Sequence, residues 1–325
     1  MKIGILGCGR IAEVVAPTLV AMPEIECWAC ATRDSLERAQ AFADKHGFAH
    51  AYGTYEEMLC DKELELVYIC TPHSHHYEHI IACLDHGKHV ICEKSFTLNT
   101  QQAQWAISYA KDKKLYLAEA IWTRYMPSRA IIQNVLDSGI IGEVYMLTAN
   151  LCYAEEEKER ILDPKLAGGA LLDLGVYGLN FALMHRGEDI ERIESSVRMT
   201  KSGVDGQECI QLIYRDGDIA ILTHSISCRS DRQGVFYGDK GYMVVENINN
   251  PQSLRVYDTD DNLLREIKMP EQISGYEYEF REAVQQIKAG QLESASMPLK
   301  DTIRVMGLMD HIRATWGLQY PGEKK

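Results

Sequence analysis

Gly7-Cys8-Gly9-Arg10-Ile11-Ala12 follows the apolar run Lys2-Ile3-Gly4-Ile5-Leu6 and leads straight into a helical stretch. Glycine at position 7 permits a tight strand-to-helix turn, because it reaches backbone angles that other residues avoid. With no side chain at Gly9, a pyrophosphate can approach the backbone and the first amides of the helix, and Ala12 is small enough for close helix–strand packing. Gly7, Cys8, Gly9, Arg10 and Ile11 are therefore read as a dinucleotide-phosphate site. A site for NAD usually ends its second strand on a carboxylate that takes both ribose hydroxyls. Here Cys30-Ala31-Thr32-Arg33 puts a hydroxyl and a guanidinium there instead. A guanidinium can pair bidentately with a 2′-phosphate and stack on adenine. Thr32, Arg33 and Arg38, one turn into the next helix, thus point to NADP over NAD. Asp34 is the counter-argument, since a small shift of the turn would bring it to the ribose.

Two other groups of reactive side chains compete for attention. His73, His75, His76 and His79 stand just after an apolar strand, as the first ligands of a metal-dependent hydrolase do. Such a site needs further ligands from later strands, and no matching later cluster is evident; that reading also leaves the glycine loop unexplained. No metal ligands are expected. Cys27 and Cys30 have C-x-x-C spacing, but they sit in a strand, where residues three apart face opposite ways. They are read as core thiols.

The elements that must carry these residues alternate. Strands at 26–31, 64–70, 88–92 and 115–119 and helices at 11–22, 35–46, 76–86 and 100–111 give the pattern of a doubly wound parallel sheet. Right-handed crossovers put every strand's C-terminal end on one rim, where ligands of such sheets lie. From about residue 143 the texture changes. A long strand and a helix over 172–185 are followed by several strands broken by Asp216-Gly217-Asp218 and Asp239-Lys240-Gly241, with two closing helices. The expected architecture is α/β: a Rossmann domain over 1–120 and an α+β domain with a largely antiparallel sheet over 121–325.

Composition bounds the function. The chain has 325 residues, 46% of them hydrophobic and 25% charged, which is ordinary globular material for two domains. A formal charge of −13 disfavours nucleic acid or anionic lipid as partners. No membrane span is expected, and the first strand starts at residue 2, leaving no room for a signal peptide. The ten cysteines sit mostly in apolar segments, as reduced thiols do, so a cytoplasmic location is expected.

Taken together, Gly7 to Ala12, Thr71-Pro72-His73-Ser74-His75-His76, Gly87-Lys88-His89-Val90-Ile91-Cys92-Glu93-Lys94 and Ala167-Gly168-Gly169-Ala170-Leu171-Leu172-Asp173-Leu174-Gly175-Val176-Tyr177 resemble the Gfo/Idh/MocA oxidoreductase family. Glu119-Ala120-Ile121-Trp122-Thr123-Arg124-Tyr125 and Gly317-Leu318-Gln319-Tyr320-Pro321 resemble its branch of dihydrodiol and sugar dehydrogenases. Two departures stand out: Ser95 replaces the family's proline after the lysine, which would leave that backbone freer, and Tyr177 stands where many members carry histidine.

The resemblance implies hydride transfer between nicotinamide C4 and a carbinol or carbonyl carbon. The protein must then hold that carbon in line and handle the proton. Tyr177 is expected to donate or accept the proton, Lys94 to polarise the oxygen and share that role, and Asp173, one helical turn before Tyr177, to bind substrate hydroxyls. Glu93 would anchor Lys94 or the cofactor. The resemblance also places Thr71 and Pro72 beside the nicotinamide, with His76 opening the next helix. Trp122, Arg124 and Tyr125 follow the last strand and are read as pocket lining. These groups suit a small polyhydroxylated substrate such as a sugar, polyol or trans-dihydrodiol. A non-catalytic NADP-binding regulator is the alternative, although it would have no need of Lys94, Asp173 and Tyr177. A homodimer is expected through the open face of the second sheet, because the strand from Ile219 carries apolar residues on both faces.

Overall fold

A computed structural model describes residues 1–323; the last two positions of the expected second domain lie outside the described residues. The chain forms two units, Met1–Tyr125 with Gln272–Met306, and Met126–Glu271 with the chain from Gly307 onward.

The first unit holds a parallel sheet of β1 (Lys2–Leu6), β2 (Glu26–Ala31), β3 (His50–Tyr52), β4 (Leu66–Ile69), β5 (His89–Glu93) and β6 (Leu117–Ala120), in the order β3-β2-β1-β4-β5-β6. All five pairings are parallel. Its helices are α1 (Arg10–Val20), α2 (Leu36–His46), α3 (Tyr55–Leu59), α4 (His76–Asp85) and α5 (Thr100–Lys113). β4 is buried along its whole length, as a strand covered on both faces must be. The Rossmann expectation holds. The short β3 and α3 were not foreseen, being too brief to show a period.

This unit departs from the expected 1–120 boundary because residues 272–306 pack with it. Phe280 and Ala283 are wholly buried in one cluster with Ile3, Ile5 and Tyr68, and the Phe280 ring stands edge-on to Tyr68 at 5.0 Å. Sequence order had assigned this segment to the second domain; burial of its apolar face decides otherwise.

The second unit contains α6 (Pro127–Asp137), β7 (Val144–Cys152), α7 (Glu159–Leu162), α8 (Val176–Arg186), and the strands β8 (Ile190–Met199), β9 (Asp205–Tyr214), β10 (Ile219–Ser225), β11 (Gly234–Gly238), β12 (Gly241–Val245), β13 (Ser253–Asp258) and β14 (Leu263–Lys268). The sheet order is β14-β13-β12-β11-β7-β10-β9-β8, antiparallel except between β7 and β10. β8 and β14 are exposed edge strands rich in charge, which hides them from an apolar-pattern search. α9 (Glu277–Lys288) belongs to the first unit, and α10 (Leu299–Thr315) closes the helical set.

Among the described residues one helical segment, Pro164–Arg186, is long and apolar enough by length and composition to cross a membrane, with mean hydropathy 1.4. Its most apolar stretch of 18 residues is 94% buried inside the protein, so its apolar character is spent on the core.

Candidate active site

The turn after β1 needs its glycines for two different reasons. Gly7 has φ +101°, and a Cβ there would come 3.0 Å from the Thr71 side chain and 3.3 Å from the Cys70 backbone. At Gly9 a Cβ would meet only the Cys70 carbonyl at 3.9 Å, so a side chain would occupy the open space over the start of α1. Gly9 is also the N-cap of α1, which therefore has no side-chain cap, whereas Ser35, Thr54 and Asn99 cap α2, α3 and α5. A side-chain-free helix start at the sheet's rim suits a pyrophosphate, which would satisfy the terminal amides that α2, α3 and α5 give to their caps; α4 likewise has no side-chain cap but follows directly on the His73–His75 turn. Gly9 and Arg10 are exposed, while Cys8 turns its thiol inward, 3.4 Å from the Ala31 carbonyl.

At the end of β2 the structure separates the expected contacts. The Thr32 hydroxyl donates to the Ser35 carbonyl at 2.6 Å and accepts from its N–H at 3.0 Å. Thr32 is thus committed to shaping the turn. Arg33 has a 73% exposed side chain, loosely paired with Asp34 at 3.8 Å, and Arg38 is exposed on the first turn of α2. Both guanidinium groups remain accessible to an anion.

The histidine-rich segment is structural. His76 is completely buried between two carbonyls, its Nε2 2.8 Å from Thr71 O and its Nδ1 2.8 Å from Ser95 O. Burial pushes its pKa down to about 4, so the ring is neutral and bridges the two rim loops. His79 meets the Thr71 hydroxyl at 2.9 Å, and His75 pairs with Glu78 at 3.3 Å. Three of the four histidines thus have ring-nitrogen partners within the protein, and the fourth, His73, packs its ring edge-on against His76 at 5.7 Å.

Lys94 leaves β5 half-buried at the same rim. The Lys94–Ser95 peptide is cis, and Ser95 is fully buried. The loss of proline does not free this backbone, because the Ser95 carbonyl meets His76 and the Phe96 N–H donates to Glu119 at 3.2 Å. Glu93 accepts from the buried Tyr68 hydroxyl, so it anchors the strand end beneath Lys94. Glu279 on α9 completes a set of buried carboxylates, and burial raises its pKa well above the usual range; Glu119 is pushed up to about 7 for the same reason. Neither residue had been singled out as part of a site, because strand and helix patterns do not tell that distant carboxylates share a core.

After β6 the expected pocket lining turns inward. Arg124 is buried and ion-paired with Asp301 at 2.7 Å. The Tyr125 hydroxyl donates to the Glu119 carbonyl at 2.8 Å, and Trp122 stacks on Tyr276 at 4.1 Å. A buried guanidinium requires a carboxylate and a buried ring requires a packing partner; here the first unit supplies both. These three residues shape the rim from behind.

In the second unit Asp173 and Tyr177 lie on one continuous helical segment, but Leu171–Gly175 is a π-helical turn before α8 begins. Such turns concentrate at functional sites. Both side chains are largely buried, and Arg160 on α7 donates to Asp173 at 3.2 Å. Beneath the segment lie Asp205 and Glu208 on β9 and His224 on β10. Asp205 caps it by accepting from Leu171 N–H at 2.5 Å, and His224 Nδ1 lies 2.8 Å from Glu208. Glycine makes room for them. A Cβ would fall 2.0 Å from Asp205 at Gly169, 2.4 Å from Glu208 at Gly175 and 2.2 Å from His224 at Gly178, while at Gly168 it would strike the Ile161 carbonyl at 2.2 Å. The glycine spacing was the sequence signal for this layer, although it could not name the partners.

Residues 1–120 match the family described as "Oxidoreductase family, NAD-binding Rossmann fold", and 130–244 match the GFO/IDH/MocA C-terminal domain. The trans-1,2-dihydrobenzene-1,2-diol dehydrogenase of Danio rerio is 30% identical over 328 residues, covering 98% of each chain. The chain belongs to the GFO/IDH/MocA oxidoreductase family. A D-xylose 1-dehydrogenase (NADP(+)) of Hypocrea jecorina is 31% identical, covering 99% of this chain and 93% of its own length. A 3-ketoreductase of Actinomadura kijaniata, solved with NADP and TDP-benzene, superposes with a TM-score of 0.90 at 26% identity over 97% of each chain. This protein is accordingly an oxidoreductase with a nicotinamide-dinucleotide-binding unit.

Glu119 makes the rim pH-sensitive. Its folded pKa of about 7 lies above the ordinary 4.5, so the native state holds the proton more tightly than the unfolded chain does. Stability should therefore fall as pH rises from 4.5 toward 7 and then level off. Glu119→Gln keeps an acceptor for Phe96 N–H without titrating. Relative to the parent it should gain stability on the order of 3 kcal/mol between pH 4.5 and pH 8 in urea denaturation. A pH-independent difference would refute this account.

Proposed function

We propose that this chain is an NADP-dependent dehydrogenase of a CH–OH carbon in a sugar, polyol or trans-dihydrodiol, able to run toward the carbonyl or the alcohol. The observation that carries the reading is that a glycine-opened helix without a side-chain cap and Lys94 leave one parallel sheet at the same rim. Bound NADP supplies the hydride acceptor or donor. Gly7, Gly9, Arg10 and Ile11 hold its pyrophosphate, Arg33 and Arg38 its 2′-phosphate, and Thr71 and Pro72 border the nicotinamide. Lys94 polarises the substrate oxygen, Tyr177 gives or takes the proton, and Asp173, oriented by Arg160, accepts from substrate hydroxyls. The names of the relatives support NADP and a small hydroxylated substrate.

We further infer a homodimer through the half-exposed face of the second unit's sheet. Along that face Tyr237, Tyr242 and Tyr257 stack across β11, β12 and β13 beside Met146, Ile219 and Ile221, while Leu147, Leu222, Phe236 and Met243 fill the opposite, buried face. An apolar, aromatic face of this kind suits a second copy. The ten free cysteines suit a reducing compartment such as the cytoplasm. Light scattering at micromolar concentration should give twice the chain mass; a monomer would end the dimer reading.

Lys94→Ala and Tyr177→Phe should each lower turnover about 100-fold while NADP binding is retained. Steady-state kinetics with a panel of sugars, inositols and trans-dihydrodiols, followed by reduced-cofactor absorbance, checks both the roles and the substrate class. Near-normal turnover in both variants would overturn the roles. Arg33→Ala should weaken NADP by about 10- to 150-fold and leave NAD nearly unchanged. Calorimetric titration of both cofactors decides this, and equal losses would remove the phosphate contact.

A further inference from the structure

Away from the rim, α3 and α4 bring together three side chains that the chemistry above does not use. Glu56 and the C-capping Cys60 stand one helical turn apart on α3, and His86 caps the C-terminus of α4. Their ligand atoms all lie within 4.8 Å of one another. Because α4 starts at the rim with His76 and runs ten residues, His86 lies about 15 Å away, at the opposite edge of the sheet.

The hydrogen bonds of His86 show what this cluster lacks. Nδ1 lies 2.8 Å from the Ala82 carbonyl, which can only accept, so Nδ1 carries the ring proton. The lone pair of Nε2 then faces the Glu56 carboxylate at 3.2 Å, acceptor against acceptor. Something positive belongs between them. A second ring proton would serve the His86–Glu56 edge alone, as an ordinary ion pair that does not engage the thiol of Cys60. A divalent cation uses all three. Bonds of about 2.0–2.2 Å from a tetrahedral ion to nitrogen and oxygen put those ligands about 3.4 Å apart, close to the observed edge. A backbone carbonyl holding the far N–H of a ligating imidazole is the usual outer support of a metal histidine. The frame is already fixed: Lys88 is buried and donates to the carbonyls of Asp61 at 2.5 Å and Leu64 at 2.9 Å, tying the end of α3 to the turn before β5.

We propose that Glu56, Cys60 and His86 form a site for a borderline-soft divalent cation of the zinc class, with a fourth position open to water. A sulfur, an imidazole and one carboxylate select such an ion over calcium or magnesium, which require oxygen ligands. The ion pins α3 to α4 and takes no part in hydride transfer.

Cobalt reports directly on this arrangement. Titrating the EDTA-treated, full-length protein with Co²⁺ should produce a thiolate-to-cobalt charge-transfer band that excess Zn²⁺ bleaches. Cys60→Ser should abolish the band, and His86→Gln should weaken cobalt binding about 10-fold or more. Cys228→Ser, which removes the other exposed cysteine, should leave the band intact. All three positions are at the surface or partly so, and circular dichroism verifies that each variant is folded. No charge-transfer band in the parent at millimolar Co²⁺, or a band that survives in Cys60→Ser, would overturn the site.

Discussion

A parallel strand cannot be returned by a hairpin, so each of β1, β2, β4 and β5 hands on to the next strand of the sheet through a crossover on one face or the other. Every strand therefore leaves the sheet at the same edge. That constraint gathers Gly7 to Gly9, Thr32 to Arg33, Thr71 to Pro72, Lys94 and Trp122 onto one rim from positions more than a hundred residues apart. The covering of both sheet faces that parallel strands require also explains why α9 returns to this unit: Phe280 and Ala283 complete its core.

The rim is held by polar groups that the core tolerates because each has a defined partner. His76 spans the Thr71 and Ser95 carbonyls, Glu119 takes the Phe96 N–H, Glu93 takes the Tyr68 hydroxyl, and Arg124 takes Asp301. These contacts fix the backbone on both sides of Lys94, where a proline would otherwise have stiffened it. Removing one partner from such a set leaves the other buried and unsatisfied, which costs more than the bond itself contributed.

The second unit solves a similar problem with glycine. Asp205, Glu208 and His224 lie so close to the backbone of the Asp173–Tyr177 segment that no side chain fits at Gly169, Gly175 or Gly178. The same device at Gly168 lets α7 approach, and with it Arg160, the partner of Asp173. The π-helical turn sits where this layer presses from below.

Local pattern was enough to read the Rossmann alternation, the glycine turn, the rim position of Lys94 and the change to a largely antiparallel sheet, because backbone period and turn chemistry are properties of neighbouring residues. Family resemblance, carried by four short motifs, named the chemistry. Tertiary structure decided what side chains touch. It gave Thr32, His76, Arg124 and Tyr125 partners within the protein that their own segments do not announce, since a buried polar group goes to whichever partner packing brings within reach. It moved 272–306 into the first unit, absorbed the apolar segment 164–186 into a core, and set Glu56, Cys60 and His86 side by side. Sequence periodicity fixes which face a residue takes within its own element, and only the packing of one element on another determines what that face meets.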